Sequence, residues 1–431
     1  MLRARSSMSS KLPAHTTPLH KYRKVQAMTP CATTVYPSNA QAPSRVDKSS
    51  ELVPNPQRPL KALFVITSMP VGGAETLLVN LLRKFRPSHI LPSIACLKEK
   101  GPLGDEIAKD FAVTEHWLRG KLDVSVLPRL ANHLRKEKID ALISVGAGDK
   151  MFWGRLAARL ASVPVVCSAL HSTGWPDGVG KMNRWLTPIT DAFIAVAKPH
   201  GQFLADFEKF PANKIAVIPN GVDTLRFHPN AVARNDVRSE LGLAPDTPLI
   251  GIVAALRPEK NHALFLNAAC RVIAEFPKAH FVIVGDGPER SLIEKTAAEL
   301  SITENLSLLG TRSDTPRLLA AMDVFALTSH NEASPVSILE ALSCGVPVVS
   351  TRVGSVAESV HDLWNGFTVD PGDADAVAER IMHLLLNKAA SEMMGGNGRE
   401  HVQSNGSLET MVRMYEHLIH SIFDRKTNRV Q

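Results

Sequence analysis

From Leu60 onward, apolar runs of strand length alternate with helical patterns almost without interruption. LKALFVIT leads through the turn MPVGG into AETLLVNLLRKF. LPSIACL, DALISV, VPVVCSAL and DAFIAVA follow, separated by helical stretches near 103–111, 124–138 and 150–161. Short apolar strands joined through helices read as βα units of a parallel sheet covered on both faces. After IAVIPNGVDTLRFHP (215–229) the alternation starts again, from a polar helix at RNDVRSELGL through PLIGIVAAL, AHFVIVG, LSLLG, DVFALTS and VPVVST. Two doubly wound domains in tandem are expected, 60–230 and 231–405. A piece over 406–431 is free to pack back on the first domain. The last two helices are expected near 373–388 and 408–423.

A length of 431 residues with 44% hydrophobic side chains suits two cores of ordinary size. No run of eighteen apolar residues occurs, so no membrane-spanning helix is expected. Residues 1–59 hold 9 Lys/Arg against 2 Asp/Glu and lack hydrophobic periodicity. They are expected to be a disordered basic tail; an organelle transit peptide or a start codon placed too early explains the same composition. Residues 60–230 hold 22 basic against 15 acidic residues, and 231–431 hold 18 against 25. A basic half followed by an acidic half argues against a chain that wraps nucleic acid, and leaves a basic face for an anionic partner. Cys31, Cys96, Cys167, Cys270 and Cys344 are odd in number, widely spaced and without a CxxC pair, which fits a reducing compartment.

In open α/β sheets ligands lie beyond the carboxyl ends of the strands, so two such domains place a cleft between two strand-end faces. In the second domain, NEASPVSILEALSCGVPVVS sets Glu332 and Glu340 around a Ser-Pro pair, with seven residues between them. Ser334 as cap and Pro335 as first helical residue would put Glu332 at the mouth of a helix and Glu340 about one and a half turns in. The free N–H groups of the first turn, with Val336 at its start, would then face an anion. A carboxylate beside bound phosphate can accept hydrogen bonds from sugar or ribose hydroxyls. The bland alternative is a loop charge at Glu332 and a salt-bridge partner at Glu340. GIVAALRPEKN adds Arg257 and Lys260 at a strand end, where cations can neutralise a departing diphosphate. FVIVGDGPER contributes the turn at Gly285, and LLGTRSD ends a strand at Gly310 and Thr311. DADAV contains an Asp-x-Asp spacing, but Asp373 follows Pro371-Gly372 and is expected to cap a helix, so no metal is assigned. Neither LFVITSMPVGG nor FVIVGDGPE is a dinucleotide fingerprint, which disfavours a dehydrogenase.

With these motifs in place, residues 60–423 resemble the family 4 retaining glycosyltransferases of GT-B fold. The pattern Glu, seven residues, Glu is met by Glu332 and Glu340, and PEKN, VGDGPE and ALSCGVPVVST match the usual neighbours. The resemblance implies that Glu332 contacts the donor sugar, Glu340 the ribose and Lys260 the diphosphate. VGGAE, with Gly72 and Gly73, resembles the family's glycine loop near donor phosphate and acceptor, and His171 after VPVVCSAL resembles its active-site histidine. Two positions depart from the pattern. The usual arginine five residues before the lysine is Ala255, with Arg257 a candidate substitute two residues on. Ala333, Ser334 and Pro335 replace a common Gly-Phe-Gly.

The function expected from the resemblance is metal-independent transfer of a hexosyl group from a nucleotide sugar to a glycan or lipid-linked acceptor with retention, with no cofactor. The donor would be a UDP- or GDP-hexose, and His171 and Glu332 the candidate catalytic residues. The alternatives are a GT-B-type sugar-nucleotide 2-epimerase or an inactive sugar-nucleotide-binding subunit of a polysaccharide machine. A cytoplasmic protein is expected. PDGVGKMNRWL and KMFWGRLAARL, aromatic and basic, suggest peripheral contact with an anionic membrane surface, although core packing of ordinary domain helices is the better account of them.

Overall fold

The computed structural model describes residues 58–120, 123–171 and 178–428, all within one compact unit. Apart from Arg58 and Pro59, the tail expected over 1–59 lies outside these residues, as does most of the loop after His171. Arg58 already belongs to the fold, donating to both carboxylate oxygens of Asp140 at 2.8 and 2.7 Å.

In chain order the first half forms β1 (Leu60–Ile66), α1 (Gly73–Lys84), β2 (Ile90–Cys96), α2 (Gly101–Ile107), β3 (Val113–Thr114), α3 (Val126–Glu137) and β4 (Ala141–Val145). It continues through α4 (Asp149–Leu160), β5 (Val165–Ala169), α5 (Gly178–Trp185), β6 (Ala192–Ala195), α6 (Lys198–Asp206) and β7 (Ile215–Val217). The strands pair in parallel in the order β3-β2-β1-β4-β5-β6-β7. Every residue of β4, β5 and β6 is buried, as continuous apolar runs in a sheet covered on both faces require.

The second half comprises α7 (Ala231–Glu240), β8 (Leu249–Val253), α8 (His262–Glu275), β9 (His280–Val284), α9 (Arg290–Glu299), β10 (Leu306–Gly310), α10 (Thr315–Ala321) and β11 (Val324–Leu327). Then come α11 (Val336–Ser343), β12 (Val348–Thr351), α12 (Val356–Ser359), β13 (Gly366–Val369), α13 (Ala374–Leu386), α14 (Lys388–Asn405) and α15 (Leu408–Thr427). The parallel order β10-β9-β8-β11-β12-β13 reverses direction between β8 and β11, just as the first sheet reverses between β1 and β4. Asp373 caps α13, accepting from Ala376 N at 2.8 Å.

The sequence reading has no helix between 388 and 408, and the structure places α14 there. Its MMGGNG run has weak helix propensity, so packing forms the helix. A side chain at Gly395 would lie 2.0 Å from the carbonyl of Gly345, and Arg399 Nη1 donates to Ser343 O at 2.5 Å. Glycine here lets α14 press against the end of α11.

The chain crosses between the sheets twice, side by side. Val222 N donates to Gly406 O and Leu408 N to Val222 O, both at 2.9 Å. Beyond this point α15 returns to the first domain, where Leu408, Met411, Val412, Tyr415, Ile419 and Ile422 join the core formed by β1, β2, β4 and α1. Glu416, fully buried, accepts from Arg86 N at 3.0 Å and Arg86 Nε at 2.9 Å. Among the described residues no helix is long and apolar enough to cross a membrane.

Glu416→Ala leaves Arg86 N without its acceptor and removes the partner of the half-exposed Arg86 guanidinium, and should destabilise the protein by about 1–3 kcal/mol. Urea unfolding checks this; a change under about 0.5 kcal/mol would show that the apolar face alone holds α15.

Candidate functional site

The reversal between β8 and β11 sends their loops to opposite sides and opens a crevice at the strand ends. Lys260 lies in the loop after β8, at the end of the turn Pro258–Lys260. Glu332 lies in the loop after β11. The two loops are joined by His330 N donating to Glu259 O at 2.8 Å and Thr328 Oγ1 to Asn261 O at 3.1 Å. These bonds bring Lys260 Nζ to 2.6 Å from Glu332 Oε1, which also accepts from Ser329 Oγ at 2.7 Å. Glu332 is buried and Lys260 only half so. The Lys260 side chain therefore stays partly open to solvent.

The Glu332 backbone is fixed as well. Gly354 has φ +51°, and a side chain there would fall 1.6 Å from the Glu332 carbonyl oxygen. Only glycine permits that approach. Ser355 N then donates to the same oxygen at 3.2 Å.

The start of α11 differs from the sequence reading. Pro335, not Ser334, occupies the capping position, the helix begins at Val336, and no side chain caps it. Ser334 is engaged through its backbone, its carbonyl accepting from Asn220 Nδ2 at 2.9 Å. That bond runs to the first domain, and Val336 packs against the first domain's core. The opening N–H groups of α11 have no partner within the helix, as at any helix start.

Glu340 sits in the second turn of α11, half-buried. Among the described residues no hydrogen-bond donor meets its carboxylate. Burial pushes its carboxyl up to about 7, against the opposing pull of the Arg226 guanidinium. An unpartnered carboxylate beside a crevice is an open acceptor for ligand hydroxyls.

Arg257 and Ala255 are both exposed, with Leu256 fully buried between them. Arg257 lies 3.9 Å from Glu259. The loop that presents it is braced by the turn at Gly285: Ala254 N donates to Val284 O and Leu256 N to Asp286 O, each at 3.0 Å. Thr311 is exposed beyond β10, two strands from β8.

In the first domain Gly72 precedes α1, and space lies open around Gly73. His171 follows the end of β5. Its Nδ1 is buried without a hydrogen-bond partner among the described residues. Burial, reinforced by His200 and Lys150, pushes it down to about 4, so the ring is neutral at physiological pH. Lys150 follows the turn Gly146–Gly148 after β4. The sequence reads it only as the first residue of the basic stretch KMFWGRLAARL, although VGAGDK has the same strand, glycine, helix pattern as VGGAE. The Lys260–Glu332 pair, Ser329 and Asn220 carried no spacing signal, because they meet only through the fold.

Residues 233–401 match the family described as glycosyl transferases group 1, and residues 71–226 match glycosyltransferase family 4. The chain is 31% identical over 313 residues to a UDP-Gal:alpha-D-GlcNAc-diphosphoundecaprenol alpha-1,3-galactosyltransferase of Escherichia coli, covering 69% of this chain and 80% of the relative. It is 26% identical over 379 residues to a GDP-mannose-dependent monoacylated alpha-(1-6)-phosphatidylinositol monomannoside mannosyltransferase of Corynebacterium glutamicum, covering 84% and 98%. Among solved structures, Anabaena HepE in complex with UDP and glucose superposes with a TM-score of 0.75 at 21% identity, covering 84% of this chain and all of that one.

The raised pKa of Glu340 fixes the sign of a pH effect. The folded state holds its proton between about 4.5 and about 7 while the unfolded state has released it, so stability falls as pH rises through that window. Glu340→Gln should match wild type at pH 4 and exceed its Tm by about 2 °C or more at pH 8. Calorimetry across pH checks this; an offset independent of pH would place the carboxylate in solvent.

Proposed function

This chain belongs to family 4 of the group 1 glycosyltransferases, enzymes of GT-B fold, and we propose the following division of labour across its cleft. The enzyme moves a hexosyl group from a nucleotide sugar to a glycan or lipid-linked acceptor with retention of anomeric configuration. In our reading Glu340 accepts hydrogen bonds from the ribose, Lys260 meets the diphosphate and Glu332 holds the donor sugar. The observation that carries this is the junction of Lys260 with Glu332 at the strand reversal, with the free carboxylate of Glu340 on the helix that follows.

The reaction's barrier is departure of a nucleoside diphosphate from a sugar with oxocarbenium character, so positive charge at the diphosphate does most of the work. Lys260 supplies it from the loop after β8, and the start of α11 adds its unpaired N–H groups. Arg257 reaches the same phosphates in place of the arginine missing at Ala255. Its exposure and loose hold on Glu259 leave it free to turn. Pro335, Val336 and the Ser334 backbone line the donor side, with Gly285 and Thr311 towards the nucleoside. Gly72 and Gly73 lie close to donor phosphate and acceptor, and the neutral His171 faces the acceptor side, where an uncharged imidazole offers hydrogen bonds rather than charge.

The acceptor is lipid-linked in this reading, as the names of the Escherichia coli and Corynebacterium relatives describe for those enzymes. The excess of basic residues over 60–230 and the exposed Trp185, Met182 and Phe207 support peripheral contact of the first domain with an anionic membrane, from the cytoplasmic side.

Mass-spectrometric screening of UDP-, GDP- and ADP-hexoses for release of nucleoside diphosphate identifies the donor; release that rises with added acceptor marks transfer, whereas release with conversion of the donor's own sugar in the absence of acceptor marks isomerisation. With that donor, Glu340→Ala should weaken nucleoside diphosphate binding by about 1–3 kcal/mol in calorimetry. Glu332→Gln should lower turnover more than nucleotide affinity; the opposite pattern would exchange the two roles. Arg257→Ala should reduce kcat/KM about a hundredfold, with partial recovery on adding Ala255→Arg. A loss below about threefold would leave Arg257 as a surface partner of Glu259.

A further inference from the structure

Glu332 is flanked by two segments that each end against the first domain. On one side, two residues on, the Ser334 carbonyl accepts from Asn220, which is buried near the start of the loop after β7. On the other side, the turn at Gly354 and Ser355 grips the Glu332 carbonyl and runs directly into α12. Glu358 on α12 extends its Oε2 to the backbone N–H of Lys198, the first residue of α6, at 3.1 Å.

α6 has no cap of its own: Ala197 stands at the capping position and offers no side-chain acceptor. Its first N–H groups lack partners within the helix. Glu358 supplies the missing acceptor from the other domain, where a carboxylate also meets the positive end of the helix dipole. The helix it caps carries His200, buried, whose Nδ1 accepts from Val196 N at 3.2 Å and whose charge bears electrostatically on His171. A chain of contacts thus joins α6, which carries His200, to the glutamate of the second sheet: the start of α6, Glu358, α12, Ser355 and the Glu332 backbone.

We propose that Glu358 is a positioning residue for transfer. It caps α6 across the cleft and, through α12 and the Gly354 turn, sets Glu332 relative to the acceptor-side residues. It touches no reacting atom. The proposal rests on the reading of Glu332 as the donor-sugar contact, and it differs from that reading in what it requires. The cap forms only between domains, so its loss should disturb a step that needs both halves and spare nucleotide binding, which needs only the second.

The test uses the full chain and the nucleotide hexose that the wild type turns over. Glu358→Ala should lower kcat about tenfold while the Kd of the nucleoside diphosphate stays within about twofold. Glu358→Gln, whose amide oxygen can still accept from Lys198 N, should recover most of the loss, and it keeps the test informative should the alanine variant fold poorly. Because Glu358 acts through Glu332, the double variant Glu332→Gln/Glu358→Ala should be no more than about twofold slower than Glu332→Gln alone. Multiplying losses, a fall in nucleotide affinity that matches the fall in kcat, or wild-type turnover in Glu358→Ala would each overturn the proposal. Unimpaired turnover in Glu332→Gln would remove the premise itself. An impaired Glu332→Gln beside a normal Glu358→Ala would sink only the role of Glu358.

Discussion

The double crossing of the backbone at Val222 and Gly406–Leu408 governs the cleft, because it is where two independent sheets become one machine. Its two hydrogen bonds contribute about 0.5–1.5 kcal/mol each, too little to hold the domains in register alone. Most of the hold comes from α15, which buries six apolar side chains in the core of the first domain, at about 1.5–3 kcal/mol for each fully buried one. Apolar burial holds the second domain's last helix on the first, and the backbone bonds set where the crossing falls. The strand reversals β1/β4 and β8/β11 then supply the two crevices of the cleft.

Within the second crevice, two carboxylates of the same type occupy opposite electrostatic states. Glu332 is buried and paired, with Lys260 and Ser329 on one oxygen. Glu340 is half-buried, lacks a donor among the described residues and titrates near 7. A paired carboxylate is already oriented and costs little to present to a sugar. An unpaired one carries an unmet demand for hydrogen bonds, which ligand hydroxyls can satisfy, and binding should then favour its charged form. The asymmetry fits a rigid contact for the part of the donor that reacts and a ligand-completed contact for the part that anchors.

The alternation of strands and helices was readable because each strand is an uninterrupted apolar run, and the strand-end position of Lys260, Glu332 and His171 followed from it. Asp373 was readable as a cap because its signal is local. Elements whose cause is tertiary were not. α14 is built from a glycine-rich run that only the facing Gly345 carbonyl and α11 make helical. The one-residue shift at the start of α11 reflects a residue more than a hundred positions away, since Asn220 engages the Ser334 carbonyl. Glu358 reads as an ordinary surface glutamate until α6 is seen to lack a cap.

The departure at Ala255 acquires a sharper meaning from the Lys260–Glu332 pair. On the proposed reading a nucleoside diphosphate leaving group gathers negative charge in the transition state beside Lys260, whose ammonium already has Glu332 at 2.6 Å. That pairing holds the ammonium in place and also offsets part of the charge it can deliver. The opening N–H groups of α11 supply only the partial charge of a helix terminus. On the proposed reading, a further full positive charge has to come from the loop after β8, and the described residues of that loop contain one other cation, Arg257. Its guanidinium is exposed and 3.9 Å from Glu259, a pairing weak enough in solvent to be exchanged for a phosphate.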